Sequence, residues 1–333
     1  MKHVQVSTAV ALLALALMAE PALAQNSNSQ KGSLQNGLVA HLLHPDAHAK
    51  SAHALAPSQD AVARGLAKAK TYKFASADYP GAGASIVFDQ QKGASTILGV
   101  TVLGSNTTGF TLKAATYSLL NVPGATASEP TGINSSGQIV GIYLDASNVQ
   151  HGFLDNGGVI TNIDVPNPPS TLGETELIDI NDAGTMVGAY EDAAFNFHGF
   201  TTPDGVAFTF IDYPGSISTQ LAGINTAGDI VGLWEDASMK NHGFLLSGGN
   251  FTSLDFPLAT TTAAIGINDA GDIAGYFIDA ALVEHGFIYS KNTFTQIDVA
   301  GASDTELTRI KNNGHITGIY TDSNAEEHGL TGH

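Results

Sequence analysis

Short apolar runs separated by polar, glycine-containing stretches follow one another from about residue 72 to the C-terminus. In one of them, Ile139-Val140-Gly141 is followed by Tyr143, and the same order of apolar, glycine and aromatic positions returns several times. Asn, Asp and Gly lie between the runs, and these residues suit the tight turns that join antiparallel strands. The pattern predicts an all-β protein built from many short strands.

The pattern repeats with a period of about 43 residues. One unit carries Gly-Ile-Asn, then Ile-Val-Gly-x-Tyr, an Asp, and His-Gly-Phe. The asparagine of this unit recurs after 47, 44 and 43 residues, and a lysine takes its place after a further 43 residues. The positions are Asn134, Asn181, Asn225, Asn268 and Lys311. A second marker, Asp-x-Pro-Gly or a close variant, recurs at Asp78, Asn121, Asp164, Asp212, Asp255 and Asp298. A degenerate unit around Gly109-Phe110 completes a set of six.

Each unit has room for four short strands, which is the size of a propeller blade. The last unit stops after its third strand, and residues 71–81 resemble the missing fourth strand with its Asp-Tyr-Pro-Gly. The sequence therefore predicts a six-bladed β-propeller over residues 71–333, closed by strand 72–78 pairing into the last blade. Closure would also remove exposed sheet edges. An open β-solenoid is the alternative, but it would not need complementary ends.

The repeated Gly-Ile-Asn-x-x-Gly-x-Ile-Val-Gly-x-Tyr and His-Gly-Phe-Leu segments resemble the extracellular HAF repeats, which are named for a His-Ala-Phe triplet. Here glycine replaces the alanine, as in His151-Gly152-Phe153. The resemblance covers roughly residues 72–333. It implies a secreted bacterial propeller-like protein and brings no assigned chemistry with it.

The N-terminal part has a different character. Residues 1–24 combine Lys2, an apolar run and Ala22-Leu23-Ala24, which predicts a signal peptide and a secreted or periplasmic protein. Residues 25–70 are rich in Ala, His and Ser and predict a flexible linker or arm. No later stretch has the roughly 20 apolar residues of a membrane helix, so we expect no membrane span. We also expect a monomer, and the chain has no cysteine.

Negative charge is concentrated in the repeats. The whole chain has a formal net charge of −18, and residues 72–333 contain 28 acidic against 7 basic residues. Nucleic acid and anionic lipid are therefore poor partners for this domain. A cation, a basic peptide or a glycan remains open as an extracellular ligand.

An Asp and a His lie six residues apart in five of the units. Such a pair could bind metal or transfer protons, but its fivefold repetition favours a structural role in tying down each loop. The residues are Asp145, Asp192, Asp236, Asp279 and Asp322, with His151, His198, His242, His285 and His328.

A second set of polar residues lies where each innermost strand is predicted to begin. A hydroxyl residue occupies one position in all six units, and Glu or Gln often follows it. In a propeller these residues would surround one mouth of the central channel. The candidate ligand-binding residues are Ser128, Glu129, Thr175, Glu176, Thr219, Gln220, Thr305 and Glu306. The other interpretation is that the hydroxyls cap the strands and the acids are solvated.

These features favour a secreted binding or interaction module with its ligand at an acidic channel mouth. The chain shows neither a Gly-x-Ser-x-Gly nor a His-Glu-x-x-His motif, so an enzyme is not favoured. A hydrolase or lyase at the same mouth and a purely structural surface protein are the alternatives. No cofactor is predicted; calcium is the metal that an oxygen-rich mouth would suit.

Overall fold

A computed structural model describes residues 72–82, 85–92, 96–103, 106–166 and 174–333. They form six four-stranded antiparallel sheets arranged as the blades of a propeller. The predicted signal peptide 1–24 and arm 25–70 lie outside the described residues. No helix in the described ranges is long and apolar enough to cross a membrane.

Strands follow one another through the blades in chain order. They are β1 (Phe74–Ser76), β2 (Ser85–Gln90), β3 (Ile97–Leu103), β4 (Asn106–Lys113), β5 (Thr116–Leu119), β6 (Ala127–Ile133), β7 (Ile139–Leu144), β8 (Gln150–Asn156), β9 (Val159–Ile163), β10 (Thr175–Ile180), β11 (Met186–Glu191), β12 (Phe197–Thr202), β13 (Thr209–Ile211), β14 (Ser218–Ile224), β15 (Ile230–Glu235), β16 (Asn241–Ser247), β17 (Asn250–Leu254), β18 (Thr261–Ile267), β19 (Ile273–Ile278), β20 (Glu284–Ser290), β21 (Thr293–Ile297), β22 (Asp304–Ile310), β23 (Ile316–Thr321) and β24 (Glu327–Gly332).

Five blades are consecutive: β2 to β5, β6 to β9, β10 to β13, β14 to β17 and β18 to β21. The sixth contains β22, β23 and β24, and β1 supplies its fourth strand. Phe74 pairs with Gly332 and Ser76 with Leu330, and the N–H groups of Lys73 and Ala77 extend the pairing with bonds of 3.1 Å. The predicted six-bladed ring and its N-terminal closing strand are confirmed.

The first strand of each blade lies innermost. These six strands are buried along most of their length and contact one another around the axis, whereas the fourth strands are largely exposed. We call the face where the inner strands begin the upper face, and the face where they end the lower face. Loops from second to third strands and links between blades lie on the upper face; hairpin turns lie on the lower face.

Glycine and phenylalanine of the repeat pack together inside each blade. Phe153 of the third strand is fully buried, and a Cβ on Gly141 of the second strand would lie 2.7 Å from its ring. The same arrangement recurs at Gly188 with Phe200 and at Gly232 with Phe244. A side chain larger than hydrogen would displace the ring, which explains the glycine within the Ile-Val-Gly-x-Tyr pattern.

Candidate functional site

The predicted hydroxyls at the upper mouth lie beneath the surface. Thr175, Thr219 and Thr305 are at most 2% exposed, and Ser128 is 4% exposed. Each threonine Oγ1 accepts the N–H of the residue after the marker Asp, from Val165, Tyr213 and Val299, at 2.9 to 3.1 Å. Ser128 Oγ accepts the N–H of Gly109 at 3.3 Å. The three threonines therefore hold the links between blades, and Ser128 bonds strand β4 of the preceding blade.

The acids and amide that follow these hydroxyls are also buried. Glu129, Glu176, Gln220 and Glu306 are between 0% and 6% exposed. Glu176 Oε1 accepts a hydrogen bond of 3.0 Å from Gln150 Nε2, which comes from the preceding blade. The structure thus places all four at the predicted mouth but between blades, and direct ligand contact by these side chains stays a prediction.

Carboxyl groups of Glu284, Asp304 and Glu327 lie near one another between the fifth and sixth blades, and His285 is the basic group that acts on Glu284. Asp304 Oδ1 accepts the Glu284 N–H at 3.2 Å. Burial, with Asp304 and Glu327 nearby, raises the pKa of Glu284 to about 8. Burial and Asp304 raise the pKa of Glu327 to about 7, and burial with Glu284 and Glu327 raises that of Glu306. Near neutral pH this cluster therefore holds protons that solvated carboxylates would have lost.

The five repeated histidines each lie between two carboxylates. Their Nε2 atoms are 3.4 to 3.8 Å from the aspartate predicted from the six-residue spacing. Their Nδ1 atoms are 2.6 to 3.2 Å from the marker aspartate that ends the fourth strand. We call each group an Asp–His–Asp unit. Sequence reasoning missed this second aspartate as a partner, although in four units it follows the histidine by 13 or 14 residues, which was a usable signal.

An aromatic ring stacks on every one of these histidines. The rings of Tyr143, Tyr190, Trp234, Phe277 and Tyr320 have centroids 4.5 to 5.3 Å from the imidazoles. Tyr213 covers the other face of Trp234 at 4.1 Å, and Phe256 covers that of Phe277 at 3.6 Å. Both faces of these two rings are occupied, so neither offers a free stacking surface.

The lower end of the channel holds a polar cavity of about 60 Å³ that sequence reasoning did not locate. Asparagine side chains form a belt there: Asn134 Nδ2 donates to Asn181 O at 3.2 Å, Asn181 to Asn225 O at 3.0 Å, and Asn225 to Asn268 O at 3.3 Å. Lys92 of the first blade crosses the opening to Asp182 and Asp269, at 2.9 and 2.7 Å. Internal hydrogen bonds and ion pairs thus close the lower mouth.

Arg309 fills the axis above this cavity. Its guanidinium donates to the carbonyls of Thr308, Ile178, Thr131 and Ile265 at 2.9 to 3.4 Å, and Nε lies 3.8 Å from Asp179 Oδ1. Lys311 Nζ pairs with Asp89 Oδ1 at 2.6 Å. The signal for this cluster was the replacement of the repeated Gly and Asn by Arg309 and Lys311.

No protein-family model matches the sequence, and no curated protein matches it. Among solved structures, AofleA from Arthrobotrys oligospora is similar with a TM-score of 0.51 and 12% identity, over 77% of this chain and 85% of that one. A fungal lectin from Aleuria aurantia, described as a six-bladed β-propeller with a novel fucose recognition mode, has a TM-score of 0.46 and 14% identity, over 78% and 91%. A virginiamycin B lyase from Staphylococcus aureus has a TM-score of 0.45 and 9% identity, over 78% and 99%. At 12% identity, the likeness to AofleA bears on the fold alone.

Proposed function

We propose that this chain is an exported binding module whose upper face binds a positively charged ligand, in particular a basic peptide. The observation that carries the proposal is the unequal distribution of charge between the two faces. Export rests on the predicted signal peptide, and the binding role rests on the geometry described above.

Basic residues are nearly confined to the lower half of the ring. Among the described residues, Lys240 is the one Lys or Arg in a loop of the upper face. The others precede β1, lie in lower turns or fill the lower channel: Lys73, Lys92, Lys113, Lys291, Arg309 and Lys311. Salt bridges neutralise part of the acid at that end, because Lys92 pairs with two aspartates and Lys311 with one.

The upper face carries more acids than bases: Lys240 and the histidines of the Asp–His–Asp units are the basic groups there, and the neighbouring aspartates outweigh burial to raise the pKa of His198 and His285. Both aspartates of every Asp–His–Asp unit lie there, and the marker aspartates keep 31% to 45% of their side-chain surface exposed. Further acids of this face are Glu191, Glu235, Asp304 and Glu326. Glu174, Glu284 and Glu327 also lie there, but burial raises their pKa values to about 7, 8 and 7, so they contribute only part of a charge near neutral pH. A surface of one sign attracts ligands of the opposite sign and speeds their association.

A binding assay tests the proposal directly. The mature chain should bind fluorescent octalysine and not octaglutamate, and binding should weaken strongly between about 50 mM and about 500 mM salt because exposed charges are screened. Asp236→Asn with Asp279→Asn should weaken it, since asparagine keeps the oxygen that accepts the loop N–H groups but removes the charge.

Asp204→Asn is the matched control. Asp204 also accepts two backbone N–H groups, at 2.8 and 2.9 Å, but lies in a lower-face turn. Absence of octalysine binding, or an equal effect of the control, would contradict the proposal. Glycans are the second ligand class, since exposed carboxylates accept hydrogen bonds from sugar hydroxyls, and a glycan array tests them. Melting with calcium or a chelator tests whether the acidic face takes that ion.

A further inference from the structure

The upper loops between second and third strands share one backbone shape in five blades. The aspartate that opens each loop accepts the N–H groups two and four residues later at 2.7 to 3.0 Å. The residue between those two has a φ of 59° to 67° in every case. The loop therefore forces one residue per blade into the left-handed region, where only Gly, Asn and Asp are at ease.

Three successive blades place a large apolar side chain at this position. Blade two has Asn148, which suits the conformation, and blade six has Ala325. Blades three, four and five have Phe195, Met239 and Leu282, which are 41%, 76% and 72% exposed. None of these side chains relieves the backbone conformation, and those of Met239 and Leu282 lie mostly in solvent.

A fourth residue of the same kind lies in the link between blades four and five. Four other links have glycine at this turn position, with φ between 80° and 85°: Gly81, Gly124, Gly215 and Gly301. Here Leu258 has a φ of 70° and is 84% exposed. We call Phe195, Met239, Leu258 and Leu282 the apolar tips.

Folding gives no reason for the apolar tips, because each combines an unfavourable backbone conformation with exposed apolar surface. Residues held in sparsely populated conformations cluster at ligand-binding sites, and grouped exposed apolar side chains mark interaction surfaces. The apolar tips occupy one side of the upper face, in three loops that begin at Asp192, Asp236 and Asp279 and in the link that follows Asp255. The surface is thus apolar and acidic at once.

We infer that the apolar tips dock an amphipathic basic segment of a partner protein, with its apolar side chains on the tips and its basic side chains against the neighbouring aspartates. The inference rests on the proposed function and narrows its ligand from any polycation to one with an apolar face. A second copy of this chain is a poor occupant, because two acidic upper faces repel.

Two synthetic peptides of equal length and charge test the inference: an amphipathic lysine–leucine peptide and a lysine–serine peptide. The mature chain should bind the leucine peptide at least about tenfold more tightly, because burying one leucine-sized side chain contributes roughly that factor. The triple variant Phe195→Asn, Met239→Asn, Leu282→Asn should lose this preference and still bind the serine peptide, and Leu258→Gly should weaken it. These replacements are the residues found at the same positions in other blades. Circular dichroism melting checks that the variants fold.

Val206→Asn is the matched control, because Val206 is 78% exposed in a lower-face turn, and it should change neither affinity. Equal affinity of the wild-type chain for both peptides would overturn the inference and leave the proposed function intact. If neither peptide bound, the proposed function would fail as well. A wild-type dimer that the triple variant converts to monomer, measured by sedimentation, would assign the surface to a second copy and also overturn the inference.

Discussion

Arg309 allows a quantitative test of how the ring is held on its axis. Its side chain is 5% exposed and donates to carbonyls of four inner strands, in blades two, three, five and six. Glycine at the equivalent position of blade five makes room for it, since a Cβ on Gly266 would lie 2.8 Å from the Arg309 Cα. Replacement by methionine keeps much of the volume and removes the charge and every donor.

The expected loss follows from these contacts. Removing one partner of a buried ion pair costs about 3–5 kcal/mol, because the other charge, here Asp179, stays buried. Four carbonyls also lose a charged donor, and each such bond contributes roughly 1 kcal/mol or more. The adjacent polar cavity of about 60 Å³ can admit water to some of these carbonyls, which offsets part of the loss. We therefore expect Arg309→Met to lower the free energy of unfolding by about 3–5 kcal/mol.

Urea denaturation of the mature chain measures this loss. With a slope of about 3 kcal/mol per molar urea, the midpoint should fall by about 1 M or more. Lys113→Met, which removes a positive charge from an exposed lower turn, should leave the midpoint unchanged. Arg309→Gly should be rescued by about 20 mM guanidinium and not by sodium at equal ionic strength, because the ion can occupy the vacated space. A midpoint that stays within about 0.3 M of wild type in Arg309→Met would show that these buried contacts contribute little to stability.

Three further predictions concern pH, a strained turn and ring closure. The pKa values of Glu284 and Glu327 are raised to about 8 and about 7, so the folded state binds more protons than the unfolded state between about pH 4.5 and 8. The free energy of unfolding should therefore fall as the pH rises through this range, and the melting temperature should be roughly 5 °C higher at pH 5 than at pH 8. Glu284→Gln introduces the residue that blade two has at the same position, Gln150, and should make the melting temperature less dependent on pH. An equal dependence in the wild-type chain and the variant would contradict the assignment of this effect to Glu284. Leu258→Gly should raise the free energy of unfolding by about 0.5–1 kcal/mol in urea titrations, since it relieves a left-handed φ without losing buried surface; a decrease would show that the leucine packs. Ala75→Pro should lower the melting temperature strongly. N–H groups alternate in direction along a strand, and those of Lys73 and Ala77 donate to the β24 side, so the Ala75 N–H points at β24 as well. The Ser76 N–H points outward, so Ser76→Pro should have a smaller effect; equal effects would show that the lost hydrogen bond to β24 is not the cause.

The architecture could be predicted because two markers recur at a fixed period and the chain ends complement each other. The segment from Tyr72 to Asp78 was predicted to be a fourth strand that has no blade of its own. In the structure it supplies the fourth strand of the last blade by pairing with β24. The Asp and His of each unit were also recognisable by spacing. Their second aspartate was not, since its approach to Nδ1 depends on how the fourth strand lies beside the third.

The details of the channel were harder to predict because they depend on contacts between blades. Thr175 and Glu306 were placed at the correct end, but a sequence does not show that Thr175 accepts the Val165 N–H or that Glu306 is buried. Arg309 stood out as a departure from glycine. Its role could not be predicted from the sequence. The pairing register of the inner strands is irregular next to this position, and this irregularity is seen only in the structure, as are the carbonyls to which Arg309 donates.

The same repeat thus builds two faces with different physical demands. At the lower end, Arg309 and Lys311 are enclosed by the ring. Because removing a charge from water costs free energy, an enclosed charge needs a partner, and each of these two residues has an aspartate within 4 Å. On the upper face the aspartates lie in loops that water can reach, and the buried glutamates there take up protons instead of pairing with bases. Among the described residues, the enclosed Arg–Asp and Lys–Asp pairs are therefore at the lower end, whereas the upper loops hold His–Asp pairs that water can reach. The positions between these pairs can carry residues that folding does not require. Substitutions at Arg309 should accordingly lower the free energy of unfolding without changing peptide affinity, and substitutions at the apolar tips should weaken peptide binding without lowering the free energy of unfolding.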